Sequence, residues 1–240
     1  MRIQGWFVRG LLAGLLGAEP VAADQVQIPA QKDNTLYQDA GGALSNGAGG
    51  YLFCGQTQAF GTRRGLIAFD VAGSIPPGST IQNAVLTLYM SRTISGPQPV
   101  GLHPVLADWG EGTSDATGPE GDGAPAEPGD ATWLHTFFAT DFWSAAGGDF
   151  AAQTSAVQSV DGEAAYSWGS TAEMVADVQS WLDNPAGNFG WLLLGDEAVM
   201  PSAKRFNSRQ HADGATQPLL TVDFLPPIAV ELLEFEAELP

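Results

Sequence analysis

Asn83-Ala-Val-Leu-Thr-Leu-Tyr-Met-Ser91 has the clearest periodicity in this chain of 240 residues. Apolar residues occupy every second position, and the positions between them are more mixed. A period of two is typical of a β-strand that buries one face and leaves the other near solvent. The predicted buried face consists of Ala84, Leu86, Leu88 and Met90. The stretch therefore predicts one strand of a β-sandwich.

Further strands are predicted outward from this stretch, wherever apolar and β-branched residues are bounded by turn residues. They cover residues 26–38, 63–71, 100–109, 188–194, 204–209 and 217–222. The chain contains 30 Gly and 16 Pro, which are enough to separate many short strands. We therefore expect an all-β fold of antiparallel strands.

One short amphipathic helix is predicted at about residues 170–183. Ser170 and Glu173 have the spacing of a capping box, and Asp183-Asn-Pro185 ends the helical pattern. Four apolar residues fall on one face of this helix, which we expect to be buried. They are Met174, Val178, Trp181 and Leu182.

The first 23 residues have the pattern of a secretory signal. Arg2 and Arg9 lie before an apolar stretch, and Val21-Ala-Ala23 supplies the small residues of a cleavage site before Asp24. The apolar stretch is shorter than the roughly 20 residues that a membrane span needs. We expect a secreted or cell-surface protein with no membrane span in the mature chain, one domain over residues 24–225 and a C-terminal tail over 226–240.

The charge and the cysteine content exclude several classes of function. The formal net charge is -18, so nucleic acid is not an expected partner, while neutral glycans and divalent cations are compatible with the surface. Cys54 is the only cysteine, so the chain forms no internal disulfide and no cysteine-based zinc cluster. Packing, with or without bound ions, must stabilise the fold.

A long acidic loop, rich in Gly and Pro, covers residues 110–132. Loops of this length are usually functional or disordered, and a cation would order this one. Calcium prefers carboxylate and carbonyl oxygens, and folding the loop back would bring like charges together. The predicted calcium ligands are Asp108, Glu111, Asp130 and Asp149. The alternative is that these side chains are solvated acids without an ion.

Aromatic residues near loops suggest a carbohydrate site, because indole and phenol rings stack on the apolar faces of sugar rings. The candidates are Trp133, Trp143 and Tyr51, with Arg209 to hold ligand hydroxyls or a carboxylate. The alternatives are that the tryptophans belong to the core and that Arg209 forms an ion pair within the protein.

The order of short motifs along the chain resembles that of a DNRLRE domain, from about Asp33 to Phe224. The matching segments are 64–70, 75–81, 84–89, 109–112, 132–133, 177–182, 188–190, 206–209 and 218–222. The resemblance implies a β-sandwich of jelly-roll type, an extracellular location and a non-catalytic, carbohydrate-binding role. Recognition of an acidic polysaccharide would require clustered cations, and only seven follow residue 23: Lys32, Arg63, Arg64, Arg92, Lys204, Arg205 and Arg209.

No catalytic constellation is evident. His103, His135 and His211 lie in different segments, and no nucleophile elbow, phosphate loop or metal-binding histidine pair is present. We therefore expect a non-enzymatic module that binds extracellular or cell-surface polysaccharide. The alternatives are a structural protein that self-associates through residues 228–240 and, third, a glycan-active enzyme.

Overall fold

The computed structural model describes residues 22–59 and 61–227 and shows an all-β fold. Its paired strands are all antiparallel. The strands are β1 (Asp24–Tyr37), β2 (Leu44–Ser45), β3 (Tyr51–Gln56), β4 (Thr62–Phe69), β5 (Thr80–Thr93), β6 (Gln98–Pro104), β7 (Ala124–Pro125), β8 (His135–Phe137), β9 (Asp141–Phe142), β10 (Ala156–Val160), β11 (Ala164–Gly169), β12 (Trp191–Leu194), β13 (Lys204–Asn207) and β14 (Leu219–Leu225). The helices are α1 (Val71–Ser74) and α2 (Ala172–Asp183).

Two sheets form a sandwich. In the first, which we call the open sheet, β5 pairs on one edge with β11 and on the other with β14 and β13, and β3 continues beyond β13. In the second, which we call the covered sheet, the order is β1, β4, β12, β6 and β10. The antiparallel β-sandwich predicted from the sequence is thereby confirmed.

Strand β1 belongs to both sheets. Residues Asp24 to Pro29 pair with β14, whereas Ala30 to Tyr37 pair with β4, and the register shifts between Ala30 and Lys32. A bulge of this kind bends a strand and increases its twist, which lets one strand leave the first sheet and enter the second. The two sheets are thus covalently joined at one edge of the sandwich.

The main core lies between the sheets. Ala84, Leu86, Leu88 and Met90 of β5 are fully buried, as their alternation predicts. Helix α2 adds Met174, Val178, Trp181 and Leu182 to the same core, which confirms its predicted face. The N-cap lies one residue later than predicted, at Thr171 and not Ser170, and it accepts a hydrogen bond from Met174 N at 3.1 Å.

A second core lies on the outer side of the covered sheet. Leu66 of β4 and Leu192 of β12 face outward, away from the main core, and both are fully buried. Trp109, Trp133 and Trp143 pack over them, and all three come from the segment between β6 and β10. The predicted acidic loop is therefore part of a packed layer. The strand predicted over residues 100–109 instead ends at Pro104, after which the chain turns over this face.

Residues 1–21 of the predicted signal and residues 228–240 of the predicted tail lie outside the described residues. Within residues 22–59 and 61–227, no helix is both long enough and apolar enough to cross a membrane.

Removal of Trp109 tests whether the second core stabilises the whole fold. Its indole is almost fully buried, and its Nε1 donates to Phe189 O at 2.9 Å. Truncation of a buried aromatic leaves a cavity, so Trp109→Ala should lower the free energy of unfolding by about 3–5 kcal/mol. Urea denaturation followed by circular dichroism measures this loss.

The matched control is Phe142→Ala, because Phe142 lies in the same segment but is 66% exposed. We expect its effect to be well below that of Trp109→Ala. Equal effects of the two variants would contradict the assignment of a second core.

Candidate functional site

The two predicted tryptophan platforms lie in the second core. Trp133 is 9% exposed and Trp143 is 5% exposed. The guanidinium of Arg64 lies 4.9 Å from the ring centroid of Trp133, and Trp143 Nε1 donates to Thr132 O at 2.9 Å. Neither ring presents a free face to a sugar. This placement corresponds to the core alternative, in which large aromatics bury their area against the sheet.

Arg209 is held by Glu111 and does not line either of the two cavities described below. Its Nη2 donates to Glu111 Oε2 at 2.6 Å, and its Nε donates to Glu111 Oε1. The same Glu111 oxygen accepts a hydrogen bond from Asp33 N at 3.0 Å, and Asp33 Oδ2 accepts one from Arg209 N at 2.6 Å. These three residues, the Asp33 cluster, join β1, the long loop and the loop after β13.

Asp33 is an unusual carboxyl group because it is completely buried. Burial raises its pKa to about 8, and the nearby charge of Glu111 acts in the same direction. The hydrogen bond from Arg209 N and the charge of that arginine only partly oppose this shift. The neutral form of Asp33 is therefore favoured at neutral pH.

The four predicted calcium ligands are engaged by protein donors. Asp108 forms an ion pair with Lys32 at 2.8 Å, and Glu111 is held in the Asp33 cluster. Asp130 accepts hydrogen bonds from the backbone of Glu127 and Ser114.

Asp149, the fourth predicted ligand, accepts hydrogen bonds from Ser144 N, Ser144 Oγ and Ala145 N. In the part of the chain that the structure describes, no three His, Cys, Asp or Glu residues are grouped to hold a metal ion. Among the described residues, the four predicted ligands are thus not gathered into one group. Calcium binding stays a prediction.

A polar and aromatic depression, which we call the cup, lies on the outer face of the open sheet and has a volume of about 250 Å³. Its residues come from three strands and the loops that follow β10 and β13. They are Tyr51, Tyr89, Ser91, Glu163, Arg205, Asn207, His211, Asp213 and Thr216. Of the predicted carbohydrate residues, only Tyr51 lies here.

Strand register explains why these residues meet. Tyr51 of β3 lies opposite Asn207 of β13, and Tyr89 of β5 points outward because Leu88 and Met90 point into the core. The ring of His211 lies 5.4 Å from that of Tyr51. Outward-facing Tyr89 in an otherwise regular strand was a sequence signal for this site, whereas Asn207 and His211 carried none.

Asn207 contributes a buried amide to the wall of the cup. The residue is 2% exposed, and its Nδ2 donates to Thr216 Oγ1 at 2.8 Å. Its Oδ1 has no hydrogen-bond partner among the described residues. This oxygen has almost no accessible surface, so the amide lies within the wall of the cup and is not presented to a ligand.

Arg205 lies along the outer face of the open sheet, between Tyr51 of β3 and Ser91 of β5. Its guanidinium carbon lies 3.7 Å from the ring centroid of Tyr51, and its Nε donates to Ser91 Oγ at 3.1 Å. Within residues 22–59 and 61–227 its terminal nitrogens donate no hydrogen bond and it forms no ion pair. Burial lowers the pKa of Arg205, and neighbouring Arg92 acts in the same direction. The charges of Tyr51, Glu120 and Glu163 oppose this shift only in part.

Comparison with known proteins adds no relative. No protein-family model matches the chain, and a search of curated proteins found no match. The resemblance to a DNRLRE domain accordingly stays a prediction from the motifs.

The buried Asp33 carboxyl predicts a specific dependence of stability on pH. In the folded protein the pKa of Asp33 is raised from 3.8 to about 8. Its contribution to the stability of the fold is therefore fully present below pH 4 and is lost as the pH rises through 8. Asp33→Asn removes this loss. Between pH 4 and 8, we expect the free energy of unfolding of the variant to rise relative to that of the wild type by at most about 1.4 kcal/mol per pH unit. Urea titrations across that pH range measure this difference.

Asp149→Asn is the control of opposite sign. Burial acts to raise the pKa of Asp149, but the hydrogen bonds from Ser144 and Ala145 outweigh it and the pKa is lowered. The contribution of Asp149 to the stability of the fold is therefore present above the pKa that it has in the unfolded chain. This contribution is lost as the pH falls through the lower pKa of the folded state. If the difference in the free energy of unfolding between Asp33→Asn and the wild type stayed constant from pH 4 to 8, the raised pKa of Asp33 would be refuted.

Proposed function

We propose that this protein is a secreted, non-catalytic module that binds an extracellular or cell-surface polysaccharide through the cup. The observation that carries this proposal is the combination in one depression of the partly exposed rings of Tyr51 and Tyr89 with polar side chains from β13 and from the loops after β10 and β13. Sugar sites need apolar faces for stacking and a few polar groups that fix the orientation of the hydroxyls. The cup supplies both kinds of group.

The position of the cup supports binding of a large ligand. The outer face of the covered sheet is occupied by the second core, whereas Tyr89 and its outward neighbours on β5 are only partly buried. An extended polymer can therefore lie along the open sheet without displacing any part of the protein. The cup brings Glu163, Asp213 and Arg205 together, so polar groups of either charge are available to hydroxyls.

The sequence supports the same class of function. The resemblance to DNRLRE domains implies carbohydrate binding, and the signal pattern before Asp24 implies export. The net charge of -18 disfavours nucleic acid as a partner. Two alternatives are self-association through residues 228–240 and catalysis on a glycan, and the same experiment tests the second of them.

Retention on insoluble polysaccharides tests the proposal. Cellulose, xylan, mannan and chitin, with immobilised pectate and alginate as acidic polymers, are incubated with the full chain in calcium and in EDTA. We expect retention on at least one polymer, and Tyr89→Ala and Glu163→Ala, at an exposed residue of the cup, should each weaken it by about tenfold or more, equivalent to about 1.4 kcal/mol. Depletion from the supernatant is the measurement.

Thr87→Ala is the matched control, because Thr87 lies on the same outer face of β5 but bonds to Ser167 and does not line the cup. It should bind as the wild type does. Retention that vanished in EDTA would show that calcium takes part, and release of soluble sugar would favour the enzyme. Absence of retention on every polymer, or retention unaffected by both cup variants, would overturn the proposal.

A further inference from the structure

A second cavity adjoins the cup on the same side of the molecule. This cavity, which we call the groove, has a volume of about 430 Å³ and is open to solvent, as the cup is. Its walls are the end of β5 with Ile94 after it, the start of β13, the residues after β3, and residues 117–123 of the long acidic segment. Arg205 lines both cavities, so the two are direct neighbours.

Arg205 forms a floor between the cavities. Its guanidinium lies over the ring of Tyr51, and the bond from its Nε to Ser91 Oγ holds it on the outer face of the sheet. A side chain stacked in this way does not stand up into solvent as a barrier. A ligand can therefore pass over Arg205 from the cup into the groove.

The residues that line the groove differ in how exposed they are. Arg92 is exposed and makes no ion pair among the described residues, and Ile94 is 60% exposed. Lys204 also borders the groove but is fully buried, and its Nζ donates hydrogen bonds to the carbonyl oxygens of Gly96 and Asp161. The groove thus offers a free guanidinium and an apolar side chain, the pair of features that a sugar ring contacts with its hydroxyls and its apolar face.

The volumes of the two cavities indicate how the sugar units of the ligand are shared between them. Pockets for drug-sized ligands have volumes of roughly 300–1,000 Å³. The groove falls within this range, and the cup, at about 250 Å³, lies below it. The cup is therefore suited to one sugar ring and the groove to the units that follow it.

We infer that the cup and the groove form one continuous site that binds an internal segment of a polysaccharide chain across Arg205. This inference rests on the proposed function and specifies its ligand: a chain of several units rather than a single sugar or a chain end. Since both cavities open to solvent, the polymer enters at one end and leaves at the other. The segment 117–123 contributes to recognition as one wall of the groove.

Titration calorimetry with cello-, xylo-, manno-, chito-, galacturono- and alginate oligosaccharides of one to six units tests the inference. In the series that corresponds to the retained polymer, affinity should rise by about tenfold or more between the monosaccharide and the longer oligomers, about 1.4 kcal/mol. Reduction of the terminal aldehyde with borohydride should leave the affinity of the hexamer unchanged, because a chain end is not recognised.

Gly121→Leu places a side chain in the groove. A Cβ at this position meets only Phe53 Cε1, at 3.9 Å, and the backbone is not in the left-handed region, so the variant should fold. We expect it to lower the affinity for the hexamer to that for the shortest oligomers. Gly96→Leu is the control, because its Cβ meets no atom within 4 Å and Gly96 does not line the groove.

The outcomes separate the inference from the proposed function. If the monosaccharide binds as tightly as the hexamer, if reduction abolishes binding, or if a folded Gly121→Leu protein binds the hexamer normally, the inference is wrong while the cup remains a sugar site. If the wild type binds no oligomer and is retained on no polymer, the proposed function and this inference both fail.

Discussion

The covered sheet is apolar on both faces, and this constraint determines much of the remaining structure. Ile67 and Phe69 of β4 point into the main core, while Leu66 and Ala68 point to the opposite side. A sheet that exposed this second face would leave a large apolar area in water. The segment from β6 to β10 removes that area from solvent by packing its tryptophans over the sheet.

Polar contacts hold this acidic segment in place and make its charge tolerable. Lys32 lies 4.3 Å from the ring centroid of Trp109 and pairs with Asp108. Glu111 meets Arg209 and the buried Asp33 in the Asp33 cluster. Each of these contacts joins the segment to β1 or to the loop after β13. Because one face of the sandwich is occupied in this way, the open sheet is the one that retains an accessible face, with Tyr89 and Arg205.

Regular periodicity made some elements predictable from the sequence. The alternation in Asn83–Ser91 and the apolar face of α2 each depend only on neighbouring residues, so both were assigned correctly. Strand β3 was missed because Leu52, Phe53 and Cys54 are all buried and show no alternation. The segments Leu66-Ile-Ala-Phe69 and Trp191-Leu-Leu-Leu194 are continuous apolar runs, a pattern that indicates strands buried on both faces.

The amino-acid sequence by itself determined the all-β class, the strand that anchors the main core, the single amphipathic helix and the acidic surface, because these follow from local periodicity and composition. Only the tertiary structure decided which polar and aromatic residues are accessible. Trp133 and Arg209 are matched by partners far away in the chain, Arg64 and Glu111, while Tyr51, Asn207 and His211 meet through strand register and loop return. Contacts between distant residues set accessibility, and no local pattern records them.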